Sequence, residues 1–461
     1  MKTKVRMKKI FLMLIIIVSF RFFAGAEPPT KFPAETLTLE QARLLALANS
    51  RSLAKYNLAI RNSELNEQSQ FYTNLPSLSL GTSASMSLWN SNGMGEKNLA
   101  DTLTAGASLS VSQKLFNGGK SLIQKAINSI ATEMARKDAL ADYFAVLNAA
   151  DTAYYELLQA AASLESAESA LRTAELSLSI AEVRSQSGMM NSGDYLQALA
   201  EKESKENARN QAKRDILLKG VKIRNLTGLK EMPVLEALDF ETHENLIAGL
   251  AALTDAETDA LYANLLKTAA ANNPALAKAV LANQQAQKNV SLAARDYAPS
   301  LSMSFSTGLN YSAANGLEPS TGKLSLSGSI PLDFWVTANN VEKKRVARSQ
   351  AALDYSGAEE NLETELQTAL LDAIAQAGSV LSTRRACEYA EKHFEYVMEL
   401  FRLSQNSVST LSDASALVSS NRNQLIRSQY GFLLSLSKLR TLGAFGEEDE
   451  LTDLLNSASI R

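Results

Sequence analysis

The stretch "SLSLGTSASMSL" at residues 77–88 alternates hydroxyl-bearing and apolar side chains with few interruptions. Successive side chains of a β-strand point to opposite faces, so a period of two predicts a strand with one polar and one apolar face. A polar face made of Ser, Thr and Gly, without charges, is typical of a transmembrane β-strand of about ten residues. The alternative is a soluble sheet that packs its apolar face on a core.

Three further segments have the same alternation, two of them in the second half of the chain. We predict strands at about 76–90, 102–117, 299–312 and 323–334. The links at 90–101 and 313–322 are rich in Asn, Gly and Ser, which predicts exposed loops. Trp89 and Trp335 lie at the ends of predicted strands, where transmembrane barrels carry their aromatic residues.

The chain contains an internal duplication. "ANSRSLAK" (48–55) is repeated as "ANNPALAK" (271–278), and "LPSLSL" (75–80) is repeated as "APSLSM" (298–303) at the same distance along the chain. A constant offset indicates that a helix and the strand after it were duplicated as one unit.

Long helices follow the strands in each half. The segment 120–187 contains neither Gly nor Pro, and as a helix it would span about 100 Å at 1.5 Å per residue. Leucines recur every seven residues, at Leu157, Leu164, Leu171 and Leu178. Such a repeat predicts coiled-coil-like packing over a long distance. Gly188 is expected to end this helix, and Asn406 occupies the comparable place in the second half.

These signals define an order of helix, strand, strand, long helix and return helix in each half. Residues 1–26 have a basic start, an apolar run and a small-residue cleavage site, which predicts a signal peptide. The remaining segments are a first repeat at 27–228 with long helices at about 120–187 and 190–228, a connecting segment at 229–260, a second repeat at 261–443 with long helices at about 337–405 and 408–442, and an acidic tail at 444–461.

Composition argues against several functional classes. Gly119-Lys120-Ser121 matches the end of a phosphate-binding loop, but Lys114 stands where the loop requires its first glycine. With one cysteine and two histidines far apart in sequence, the chain is poorly supplied for a His-rich metal site or a Ser-His-Asp triad. A net charge of -3 argues against nucleic acid as a partner. We therefore expect no enzyme, no cofactor and no bound metal.

The predicted strand count implies assembly. Four strands cannot close a barrel, and open sheet edges in hydrocarbon have no water to hydrogen-bond their backbone groups. Two copies would give eight strands and a filled barrel, whereas three copies would give twelve strands and an open lumen. A trimer is the better prediction for a channel.

The duplicated order, the strand exit "SQKLFNGG" (112–119) and the helix turn "SGMMNSGDYLQA" (187–198) together resemble the TolC-type outer-membrane efflux proteins. The resemblance covers essentially the whole mature chain. It implies a mainly α fold with a membrane β-barrel: a homotrimer whose twelve-strand β-barrel lies in outer-membrane lipid and continues as a long α-helical barrel into the periplasm. It also implies passive export of small molecules or protein in a tripartite efflux or type I secretion system, with a periplasmic adaptor (membrane fusion protein) and an inner-membrane pump.

In this family the periplasmic tip is closed near the helix turns by polar and charged side chains. Asp194 matches the acidic position in the first half. In the second half the corresponding position is Ser412, with Asp413 beside it, and Val408 stands where some members have a gate arginine. We take Asp194, Asp413 and Ser412 as candidate gate residues. Helix capping or a solvated helix face is the alternative for both aspartates.

The two strand-to-helix exits differ in sequence. Gly118 and Gly119 are expected to turn the chain from a strand into the long helix, with Lys120 as a solvated or headgroup-contacting charge. Pro331 occupies the second exit, within "IPLDFWV" (330–336). A non-conducting coiled-coil scaffold in the periplasm or on the surface is the alternative function. It would share the heptads and the signal peptide, but not four membrane-type strands placed symmetrically in two halves.

Overall fold

The computed structural model describes residues 36–86, 103–312, 315–403, 405–445 and 455. The helices are α1 (Leu39–Asn49), α2 (Arg51–Tyr72), α3 (Lys120–Gln186), α4 (Ser192–Thr227), α5 (Glu244–Ala251), α6 (Asp255–Asn272), α7 (Pro274–Ala294), α8 (Phe334–Arg402) and α9 (Val408–Gly443). The strands are β1 (Ser77–Ser85), β2 (Thr104–Phe116), β3 (Ser300–Ser312) and β4 (Gly316–Ser329). The predicted signal peptide, Trp89 and the acidic tail beyond 445, apart from residue 455, lie outside the described residues.

The chain forms two compact units, and each takes segments from both sequence repeats. One unit comprises Met1–Ser50, Val146–Ile247 and Gln376–Leu434, and the other comprises Arg51–Ala145, Ala248–Ala375 and Ser435–Arg461. The long helices α3 and α8 each contribute residues to both units. The duplicated halves are therefore repeats of element order rather than separate compact bodies.

The four strands form one antiparallel sheet in the order β1-β2-β3-β4. On one face, the hydroxyls of paired serines contact each other across β1 and β2, with Ser77 and Ser79 each 2.6 Å from their partners Ser112 and Ser110. The other face is apolar. Its side chains are uncovered in the single chain, with Leu80 74% exposed. The predicted two-faced strands are thus present in the structure.

The last strand differs from the predicted 323–334. β4 begins at Gly316 and ends at Ser329, so most of the segment 313–322 that we predicted as a loop is strand. Gly316 has φ +75°, a conformation that lets the chain turn back tightly and pair with Ser312.

The exit from β4 into α8 explains why the predicted position of Trp335 was wrong. Pro331 lies in the short segment after β4, where its missing N–H prevents it from extending the strand's hydrogen bonding. α8 then begins at Phe334. Trp335, predicted at a strand end, is therefore in the first turn of a helix, and its side chain is 74% exposed.

The two longest helices have 67 residues (α3) and 69 residues (α8). Small and branched apolar residues recur on one face of α8 at helical spacing. The buried ones in its middle are Leu362, Leu366, Ala369, Leu370, Ala373, Ala377 and Val380. In α3, the heptad leucines Leu157 and Leu171 are buried, while Leu164 and Leu178 are partly buried. Among the described helices, none is both long and apolar enough to cross a membrane.

The start of the described chain is held against the connecting segment within the first unit. Leu37 and Leu235 form a parallel bridge, and the Leu37 N–H donates to the carbonyl of Val234 at 2.7 Å. The hydroxyl of Tyr154 on α3 lies 3.1 Å from the carbonyl oxygen of Leu37 and 3.2 Å from that of Glu236. A phenol is a hydrogen-bond donor at neutral pH, and burial raises the pKa of Tyr154 further, to about 12.

Candidate functional site

The exit from β2 depends on two glycines in the left-handed region. Gly118 has φ +69° and Gly119 has φ +77°, between the end of β2 and the start of α3. A Cβ atom on Gly118 would lie 2.5 Å from the Cβ of Ala298, just before β3. Both the backbone conformation and the close approach of the β3 entry therefore require glycine at position 118.

Lys120, expected to be a solvated or headgroup-contacting charge, is 37% exposed and forms an ion pair. Its ammonium group is 2.6 Å from Oδ1 of Asp296, at the end of the helical segment that leads to β3. The side chain of Asn340 on α8 donates to the other carboxylate oxygen of Asp296 at 3.2 Å. These contacts join the first turn of α3 to the start of α8 through Asp296.

The first helix turn is closed by backbone hydrogen bonds. Gly188 has φ +73°, the Met189 N–H donates to the carbonyl of Arg184 at 2.8 Å, and the Gly188 N–H donates to that of Ser185 at 3.1 Å. This pair of bonds is a Schellman motif, which satisfies the last carbonyls of α3. α4 then begins with Asn191 at its N-cap.

The second helix turn has corresponding hydrogen bonds, but they align the two turns differently from the prediction. The Gln405 N–H donates to the carbonyl of Leu400 at 2.9 Å, as Met189 does to Arg184. The Thr410 N–H donates to Oγ of Ser407 at 3.2 Å, so Ser407 caps α9 as Asn191 caps α4.

This register overturns the predicted correspondence between the two turns. The prediction placed Asn406 at the position comparable to Gly188. The observed bonds align Gln405 with Met189 and Ser407 with Asn191. The counterpart of Asp194 is therefore Thr410, not Ser412.

Asp194 takes part in capping. Its N–H donates to Oδ1 of Asn191 at 2.8 Å, and its carboxylate accepts from Nδ2 of Asn191 at 2.9 Å. A carboxylate in the first turn of α4 is also favoured by the helix dipole. The capping alternative thus has direct structural support, and a gate role for Asp194 stays a prediction.

The second-half candidates lie in the first turns of α9. Asp413 is exposed and Ser412 is partly exposed, whereas Val408 is only 1% exposed. Val408 belongs to a buried group at the ends of α3, α4, α8 and α9 that we call the tip cluster. Its buried members are Ala181, Ala198, Val397, Met398, Phe401, Val408, Leu411 and Ala414. An apolar residue at position 408 therefore serves packing, which a gate arginine there would disrupt.

Arg184 is the residue of this region that sequence reasoning missed. It is 9% exposed, its Nη2 donates to the backbone carbonyl of Phe401, and its guanidinium carbon lies 4.5 Å from the centroid of the Phe401 ring. The contact joins the end of α3 to the end of α8. An arginine in the last turn of a helix usually indicates a surface charge that complements the helix dipole, so the sequence carried no signal for this role.

Within the described segments, no group of three or more His, Cys, Asp and Glu side chains is arranged to hold a metal ion. The features that recur in both halves are strand exits, helix turns and helix packing.

Three solved structures that share this fold are membrane proteins of the channel or outer-membrane type. CusC, described in terms of transmembrane channel formation, has a TM-score of 0.74 at 16% identity over 91% of this chain and 95% of its own. The CmeC outer membrane channel of Campylobacter jejuni has a TM-score of 0.73 at 16% identity over 95% and 94%. The outer membrane protein VceC of Vibrio cholerae has a TM-score of 0.70 at 16% identity over 88% and 96%. At this identity the likeness establishes the fold.

Comparison of the sequence with protein families identifies the family of the chain. No curated protein sequence matches the chain. The outer membrane efflux protein family matches it at residues 43–229 and 265–443, which together cover most of both repeats. With the fold, the two-faced strands and the duplicated helix turns, this match shows that the chain belongs to the outer membrane efflux protein family and is an outer-membrane channel for efflux.

Proposed function

We propose that three copies of this chain form a homotrimeric exit duct, with a twelve-strand β-barrel in outer-membrane lipid and a helical barrel in the periplasm. The observation that carries the proposal is the open sheet. In the described sheet, β1 and β4 each pair with one neighbour only. Such edges cannot remain open in hydrocarbon, where unpaired N–H and C=O groups have no water.

The apolar face of the sheet supports a lipid environment. Its leucines are among the most exposed apolar side chains of the single chain, with Leu78 at 70%, Leu324 at 69% and Leu326 at 66%. Pairing β4 of one copy with β1 of the next closes the edges, and three copies give a barrel wide enough for a lumen. The hydroxyl face then lines the interior.

We further propose that the duct receives cargo from an inner-membrane pump through a periplasmic adaptor. Family membership supports this arrangement, and exposed apolar side chains on the helices offer surfaces for the other copies or for the adaptor. Leu217 and Leu218 on α4 are 61% and 67% exposed, and Leu353 on α8 is 72% exposed. The duct supplies a path, so export through it is passive.

Electron microscopy of the detergent-extracted protein tests the assembly. We expect end views with three-fold symmetry around a central lumen, and side views with a helical extension beyond the barrel. A solid rod, or a compact particle without a lumen, would contradict the duct and favour the non-conducting scaffold.

A pair of substitutions on neighbouring β3 positions sharpens this test. Phe305 lies on the apolar face and pairs with Leu324, whereas Ser304 lies on the hydroxyl face and pairs with Ser325. A lysine on the lipid face costs about 2–4 kcal/mol at the membrane midplane. We expect Phe305→Lys to reduce the yield of assembled trimer strongly and Ser304→Lys to leave it unchanged. Equal yields of both variants would count against the assignment of the faces.

We also propose that Asp194 carries gate charge in addition to its capping role. In a trimer, three copies of its carboxylate would form an acidic ring if they face the lumen, and the exposed Asp413 offers a second such position.

Asp194→Asn separates the two roles of this side chain. The amide retains a hydrogen-bond acceptor for the Asn191 side chain but removes the negative charge. We expect higher conductance in planar bilayers, because the closed tip loses a charged contact. The melting temperature should fall only slightly, since a charge in the first helical turn contributes about 0.3–1 kcal/mol. If conductance stays at the wild-type value, the carboxylate serves capping alone.

A further inference from the structure

A polar cavity lies beside the exit from β2, within the unit that contains the sheet. Its volume is about 490 Å³, and all but two of its lining residues, Leu292 and Ala293, are polar. Pockets for drug-like ligands are lined mainly by apolar and aromatic side chains. The lining of this cavity therefore suits a small polar ligand.

The charges of the cavity are unbalanced. Lys114, Lys120 and Lys344 line it together with a single acid, Asp296. Lys120 is neutralised by Asp296 at 2.6 Å. Across the described ranges, Lys114 and Lys344 have no carboxylate within ion-pair distance. Two ammonium groups thus remain available to an anion.

Fixed polar contacts hold one wall of the cavity. The Asn117 amide donates to Oγ of Ser121 at 2.6 Å, and the Ser121 hydroxyl donates to Oδ1 of Asn74 at 2.8 Å. This chain of hydrogen bonds joins the end of α2 to the start of α3. A wall ordered before binding reduces the entropy lost when a ligand binds.

The strand residue that lines the cavity, Lys114, lies on the hydroxyl face of the sheet. Lys114 pairs with Ser302 and continues the period-two row of Ser110 and Ser112 along β2. In the proposed duct this face borders the lumen. A lipid headgroup approaches from the opposite face, so a dissolved anion is the favoured occupant.

We propose that this cavity is a binding site in the duct wall for anions that carry two or more negative charges, of the phosphate or polycarboxylate class. The lumenal position rests on the proposed function, whereas anion binding itself does not. Three copies would place three such sites around the lumen, just below the barrel.

Isothermal titration calorimetry, in which pyrophosphate is added to the detergent-solubilised trimer at low ionic strength, tests the proposal. We expect the double variant Lys114→Gln/Lys344→Gln to bind pyrophosphate about tenfold more weakly than the wild type, because two charge contacts are lost. Lys343→Gln is the matched control, since Lys343 is exposed beside Lys344 but does not line the cavity. It should change affinity less than about twofold.

Three results would overturn the proposal: no binding by the wild type, equal binding by the double variant, or equal weakening by the control. Phosphatidylglycerol in detergent micelles and inorganic phosphate are then compared as competitors at the same concentration. If only the lipid displaces pyrophosphate, the site belongs to a lipid headgroup, which also contradicts the proposal. Conductance of the same preparations without pyrophosphate reports the duct separately. A conducting trimer that fails to bind therefore refutes this inference alone.

Discussion

Replacing Asp151 with alanine is expected to lower the free energy of unfolding by about 3–5 kcal/mol, because it removes the buried carboxylate that pairs with the largely buried Arg43. The Arg43 side chain on α1 contacts both oxygens of Asp151 on α3, with Nε–Oδ1 at 2.5 Å and Nη2–Oδ2 at 2.9 Å. The side chains are 12% and 1% exposed, so water screens this pair poorly. The measurement is the shift in denaturant midpoint, followed by helical circular dichroism.

An exposed ion pair on α8 provides the matched control. Arg345 and Glu342 lie 3.1 Å apart, with side chains 64% and 63% exposed. Glu342→Ala should cost less than about 1 kcal/mol, since solvent screens such pairs. The double replacement Arg43→Met/Asp151→Leu should recover most of the lost stability, because no charge is then left buried. Equal losses for Asp151→Ala and Glu342→Ala would show that the buried contact is not the source of the effect.

The sequence predicted the strands and long helices because their signals are local. The alternation from Ser77 onwards sets the two faces of β1, and the absence of Gly and Pro after Lys120 sets the extent of α3. The predicted start of β4 was wrong, and the reason is also local. The segment is rich in Asn and Gly, a composition that predicts a long loop. In the structure the chain turns tightly at Gly316 and continues as a strand.

Contacts between residues distant in the chain could not be predicted from the sequence. Arg43 and Asp151 are 108 positions apart, and Arg184 and Phe401 are 217 apart. Each arginine alone is compatible with a surface position, and only the packing of helices shows its partner. The alignment of the two helix turns failed for a related reason. The hydrogen bonds from Gln405 and Thr410, rather than residue type, fix the register.

Replacing Arg184 with methionine is expected to loosen the tip and increase conductance. Methionine keeps an unbranched stem against the tip cluster, but it loses the hydrogen bond to the Phe401 carbonyl and the stacking on the Phe401 ring. These losses amount to about 2–3 kcal/mol, since a buried carbonyl loses a charged donor. Amide hydrogen exchange at the end of α8 should accelerate about thirtyfold if local opening carries the lower end of that cost.

Arg402→Met is the control for this substitution, because Arg402 lies next to Phe401 but its side chain is 55% exposed. It should alter neither exchange nor conductance. The two readouts distinguish two roles of Arg184. Faster exchange together with higher conductance means that the contact between α3 and α8 helps to keep the duct closed. Faster exchange at unchanged conductance means that the contact stabilises the tip without controlling flow, so closure must depend on contacts between copies. Unchanged exchange would refute the energetic role of Arg184, because a buried charged hydrogen bond cannot be removed from a packed helix end without a measurable local cost.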